Sequence, residues 1–221
     1  MRSSPAPTSA SRRRQRVHDA VRDLMAEQGF RISMDAVAAR AGCSKQTLYS
    51  HFGSKQELMR SVMQEHLDMA TARLDDQHGD PRTILLAFAM EHLQRLAEPH
   101  VITTCQLLSA EAALFPEEAR TLYRDGCDTL QRRLSDWLAL AMRHGQLRRD
   151  DPHYASELLL GMIVGLDFER QRFAVPHRDT DAARGRWAEF AVDAFLRAFA
   201  IDAHALPAPA RVRISSPISK S

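Results

Sequence analysis

Between Ser44 and Lys55 the run "SKQTLYSHFGSK" gathers groups that can grip a polyanion and read the edge of a base. Lys45 offers three donors on one cation, Gln46 carries a donor and an acceptor on one amide, and Thr47 adds a hydroxyl. In the major groove of DNA a glutamine pairs bidentately with adenine, and a lysine donates to guanine O6 and N7. These three are the expected base contacts. Ser33, Ser44, Tyr49, His51 and Lys55 surround them with groups that can donate to phosphate oxygens, and they are the expected backbone contacts. His51 also has a plainer reading as an ordinary exposed histidine, although it stands between Tyr49 and Lys55.

Such chemistry needs a rigid carrier. On a helix from Ser44 to about Phe52, Leu48 and Phe52 fall together, while Gln46, Thr47 and Ser50 take the opposite arc with Tyr49 at its flank. A preceding helix starts at Ser33, presents Met34, Val37, Ala38 and Ala41, and stops at Gly42. An earlier one aligns Val17, Ala20, Val21, Leu24 and Met25 before Gly29. Two short helices joined by a glycine turn and braced by a third make a helix-turn-helix pattern.

Period-2 alternation bounded by turn residues is absent from the rest of the chain, so the whole reads as all-α with about nine helices. Ser54 and Glu57 spell a capping box for a long helix to about Asp76 that is apolar on more than one face, as a helix between two domains would be. Further starts follow at Asp80-Pro81, Pro99, Pro116, Asp151-Pro152 and Thr180, with Gly126 interrupting the helix expected over 116–144. The expected organisation is a disordered arm at 1–10, a DNA-binding domain at 11–57, a helical regulatory and dimerisation domain at 58–202, and a disordered tail at 203–221.

The segment "LLLGMIVGL" is apolar around its whole circumference, which suggests cover by another molecule or burial inside one domain. With the large-and-small stripe of the last helix it sets the expected homodimer interface: Leu158, Gly161, Met162, Gly165, Trp187, Phe190 and Phe195. Met63, His66, Phe88, His92, Cys105, Leu108, Trp137, Met162 and Phe168 are candidates to line a cavity among the helices that follow the DNA-binding domain. Each of them equally suits a core, and the ordinary reading of His92 is a satisfied core histidine.

Charge is unevenly placed, with 11 Lys+Arg against 5 Asp+Glu in residues 1–60 and 19 against 23 in the remainder. The basic end points to a polyanion. The run "SRRRQR" reads either as a solvated arm or as added phosphate contacts. No apolar run approaches the ~20 residues that span a bilayer and no signal-peptide pattern opens the chain, so a cytoplasmic protein without membrane contact is expected. Cys43, Cys105 and Cys127 read as reduced thiols; a redox role for Cys105 or Cys127 lacks a neighbouring cluster. HExxH, HxH, CxxC, GxSxG, P-loop and GxGxxG patterns are missing, so neither metal, cofactor nor catalytic site is expected.

"FRISMDAVAARAGCSKQTLYSHFGSKQELMRSV" resembles the DNA-binding signature of the TetR family of bacterial transcriptional regulators over roughly residues 12–62, with Cys43 where valine is common. "AEAALFPEEARTLYRDG" and "GQLRRDDPHYASELLLGMIVGL" are similar to the AefR-like C-terminal domain of that family. The resemblance implies a homodimer on the last two helices, an effector cavity in the helical domain, and repression of a pseudo-palindromic operator that is released by ligand. The competing expectation is a helical small-molecule-binding protein or enzyme with a vestigial DNA-binding end.

Overall fold

The structure, a computed structural model, describes residues 9–201, and the expected tail at 203–221 and most of the arm at 1–10 lie outside them. Ser9 and Ala10 already belong to the first helix. Eleven α-helices follow in order: α1 (Ser9–Gln28), α2 (Met34–Ala41), α3 (Lys45–Phe52), α4 (Lys55–Thr71), α5 (Pro81–Leu96), α6 (Pro99–Glu111), α7 (Pro116–Tyr123), α8 (Thr129–Arg143), α9 (Pro152–Val164), α10 (Asp167–Arg172) and α11 (Asp181–Ala198). The described residues contain no strand.

Side-chain caps set most of these starts. Ser33, Ser44, Ser54, Asp80, Asp151 and Thr180 each accept a hydrogen bond from a backbone N–H of the first turn they precede. A lost cap of this kind costs about 1 kcal/mol. The capping box at Ser54 is only half formed, because the Glu57 carboxylate turns forward to Arg60. Gly42 closes α2 in the left-handed region at φ 64°, and its N–H together with that of Cys43 satisfies the last carbonyls of the helix.

The helix count exceeds nine for two local reasons. Residues Arg124–Asp128 form one π-helical turn between α7 and α8, so the Pro116 helix runs on to Arg143 as three segments. Gly126 is buried there against Met63 of α4: an added Cβ would lie 3.2 Å from the methionine sulfur. Gly165, at φ +55°, ends α9 and frees α10 as a separate short helix.

Two apolar cores result. One is built by α1, α2, α3 and the first half of α4 around Val21, Val37, Leu48 and Leu58. The other joins α5, α8, α9 and α11 around Phe88, Leu138, Leu159 and Phe195. α4 spans both. His18, without exposed surface, clasps it to α1 by pairing with Glu65 and Ser61, each at 2.7 Å.

Candidate nucleic-acid interface

α3 is short, and its seating rests on one face. Leu48 has no exposed surface and half-buried Phe52 packs against the same core, so the helix cannot roll without opening that core. Lys45, Gln46, Ser50 and His51 are exposed on the other side, Thr47 is half-buried, and Tyr49 keeps 45% of its surface. The ridge is internally braced. Ser44 Oγ accepts the Thr47 N–H at 3.1 Å and lies 2.8 Å from Thr47 Oγ1, while Ser50 Oγ donates to Thr47 O at 2.9 Å.

Two lysines are already engaged. Lys45 Nζ donates to Asp35 Oδ2 at 2.8 Å, and that hydrogen bond raises the lysine pKa. The pair is exposed, so water and a phosphate can compete for the ammonium at small cost. Lys55 differs from its expected role as an exposed phosphate clamp. Its ammonium donates to the Phe30 carbonyl at 2.8 Å, and burial pushes its pKa down. Sequence placed it beside the ridge but not its side chain's direction, because an acceptor 25 residues upstream leaves no periodic signal. Ser33 stays exposed, its Oγ accepting the Ala36 N–H at 3.1 Å and keeping its own proton to donate.

A link to the rest of the molecule escaped sequence reading. Glu111, at the end of α6, is 4% exposed, accepts the Phe30 N–H on Oε2 at 3.0 Å and pairs with Arg31 at 2.7 Å. Gly29 adopts φ +57° beneath it, where a Cβ would come within 2.2 Å of that carboxylate oxygen. Glu111 and Lys55 therefore hold the N–H and the carbonyl of the same residue, Phe30.

The candidate effector residues do not converge on one space. Phe88 has no exposed surface and Trp137 only 5%, with its indole N–H donating to Asp76 O at 3.0 Å; both are core. Leu108 packs on the core beneath α3, and Met162 packs on the other core. Met63 borders a cavity of about 90 Å³ between α4 and α7, together with Met59, Leu122 and Thr121. His66 on α4 and His92 on α5 do come within electrostatic reach of each other, and burial, the first cause for both, lowers each to about 4. Burial raises the thiols of both Cys105 and Cys127, with Cys127 adding to the first and Asp128 to the second, which disfavours a reactive thiolate. Phe168 is half-buried.

At the expected dimer face, Leu158 (49% exposed), Gly161 and Phe190 (61%) are open, as is Tyr154, which sequence reading omitted. Phe195 has no exposed surface and belongs to the core, so no second chain can reach it. Trp187 is half-buried, its indole N–H donating to Ile163 O at 2.7 Å and its ring lying under Arg178. Gly165 backs onto that ring instead of opening a helix surface.

Residues 18–62 match the family model described as bacterial regulatory proteins of the tetR family, and residues 83–201 match the AefR-like transcriptional repressor C-terminal domain. The HTH-type transcriptional activator FasR of Mycolicibacterium smegmatis is 44% identical over 50 residues, which are 22% of this chain and only 23% of that protein. Among solved structures, a TetR-family transcriptional regulator from Mesorhizobium loti superposes with TM-score 0.68 at 23% identity, covering 87% of this chain and 98% of its own. The flavonoid-responsive regulator FrrA gives TM-score 0.60 at 29% identity over 85% and 96% of the two chains.

Proposed function

The chain belongs to the TetR family of bacterial regulatory proteins, and from that premise we propose that it is a homodimeric, ligand-responsive repressor that seats α3 of each subunit in the major groove of a pseudo-palindromic operator. The observation that carries this reading is the exposed ridge of Lys45, Gln46, Thr47 and Tyr49 on a helix locked from beneath by Leu48. Lys45 and Gln46 sit in the first turn of α3, the end that meets base edges in helix-turn-helix docking. Ser33, Ser44, Tyr49 and His51 supply phosphate donors around it. The exposed pair of Lys45 with Asp35 holds the lysine over the ridge until DNA takes its place.

Repression is favoured over activation because the regulatory half matches the AefR-like repressor domain, whereas the activator FasR is similar over a 50-residue segment only. The DNA-binding head does not carry the sign of regulation. A small-molecule effector is supported by the similarity to FrrA along nearly the whole of both chains. α4 is the element that would carry its effect, since it opens beside α3 and then packs against α5 and α8 of the second core. Ligand release then follows from differential binding to two arrangements of α4. Leu158, Gly161 and Phe190, with Tyr154, form the face offered to the second subunit in the cytoplasm, where the operator lies.

DNA selected from genomic fragments provides the test. Gln46→Ala should flatten preference at particular base pairs by about 1–3 kcal/mol each, while Tyr49→Phe should weaken all sequences evenly. Unchanged base preference in Gln46→Ala would remove α3 as the reading element.

A further inference from the structure

Four buried side-chain nitrogen or oxygen atoms lack a hydrogen-bond partner among the described residues, and they belong to Arg95, Glu111, Arg178 and Arg184. Three of these side chains are engaged otherwise: Glu111 accepts from Phe30 on Oε2 and lies within ion-pair distance of Arg31 on Oε1, while Arg178 donates to Val164 O and Arg184 to Asp181 through their terminal nitrogens. Arg95 is different. Its Nε is buried, and none of its nitrogens makes a hydrogen bond or lies within ion-pair distance of a carboxylate among the described residues. The nearby acids are spent elsewhere, Glu91 with Arg73 and Glu98 with His100.

A buried Nε–H of a cation without an acceptor is costly, because water is excluded from that atom and nothing replaces it. Arg95 follows His92 by three residues on α5 and therefore shares its face. His66 of α4 and His92 both feel the Arg95 charge, and His92 also feels His66. Neither imidazole has a hydrogen-bond partner among the described residues, and each retains accessible surface, although His92 stacks flat on the fully buried Phe88 at 5.9 Å. With both imidazoles low, at about 4, each is neutral near pH 7 and offers one N–H. The cluster then holds one guanidinium without a protein acceptor among the described residues, beside two uncharged donors.

We propose that Arg95, His92 and His66 form the anchor of the effector site and take a monoanionic oxygen group, a carboxylate or phenolate, on an otherwise apolar small molecule. The inference rests on the ligand-responsive reading above and gives it a ligand class. Arg95 neutralises the charge through a charge-assisted hydrogen bond, and the two imidazoles complete the remaining lone pairs. Because His66 stands on α4 and the other two on α5, the bound group ties the helix that leads to α3 to the regulatory core.

Binding is measured on the DNA-free full chain with two anions, benzoate and 4-nitrophenolate, and their neutral counterparts benzamide and 4-nitroanisole. At least one anion should bind about tenfold or more tightly than its counterpart; Arg95→Met should abolish that preference and Arg95→Lys should retain part of it. Bound 4-nitrophenol should show its phenolate absorbance at a pH where the free probe is largely protonated. Benzoate alone binding identifies a carboxylate, 4-nitrophenolate alone a phenolate. Binding of neither anion, equal binding of the neutral counterparts, or a preference untouched by Arg95→Met would each overturn the assignment. Absence of operator binding in the parent chain would sink the regulator reading while leaving the acid site measurable.

Discussion

His66 and His92 show how a single side chain can carry a measurable consequence that periodicity hides. Both are lowered to about 4 from 6.5, by burial first and then by the positive groups that face them: Arg95, Arg22 and His100 for His66, and His66 with Arg95 for His92. The unfolded chain therefore binds more protons than the folded one below about pH 6.5. Their contribution is fully present above that value and is lost as pH falls toward 4. Urea midpoints measured between pH 7 and pH 4.5 should fall with acidification, and His92→Gln should flatten the fall; an identical slope in the variant would refute the assignment. The sequence showed His92 on an apolar stripe but could not say what faced it. The same limit left Phe88, Trp137 and Phe195 open, because large apolar side chains suit a core, a cavity wall or a subunit face alike until neighbouring helices are in place. Gln46 and Leu48 were legible because opposite arcs of one short helix assign them without a tertiary partner.

Helix starts were legible for a related reason: Ser33, Ser44, Ser54, Asp80, Asp151 and Thr180 bond within the turn they open, so the signal is local. The π turn at Arg124–Asp128 was visible only as an interruption at Gly126, since its register depends on Met63 across the helix pair. The junction between α6 and the turn after α1 was not legible, because Glu111 and Phe30 are 81 residues apart. It is also the best test of how elements are held together. Glu111→Ala leaves the buried Phe30 N–H without an acceptor and should cost about 1–3 kcal/mol in chemical denaturation, whereas Glu111→Gln keeps an acceptor and should cost less. Equal stability of Glu111→Ala and the parent chain would show that this contact does not hold the junction.

Across the molecule, α4 joins a head built on α1 to α3 with a body built on α5, α8, α9 and α11. In the sequence, the basic bias, the capping box at Ser54 and the two-faced apolar pattern of α4 all point to a junction at this helix. It did not capture the length of the helical domain's pieces or which apolar residues remain outside. In the proposed dimer the open face of Tyr154, Leu158, Gly161 and Phe190 pairs with its copy, and the α3 helices stand about 34–36 Å apart so that two heads grip one duplex. The most direct measurement is titration of the full chain with its selected operator, and with a duplex carrying one half-site, across salt concentrations. One dimer should bind each full operator, affinity should fall steeply as salt rises, and the single half-site should bind far more weakly. A flat salt dependence, or equal affinity for half-site and full operator, would contradict the account.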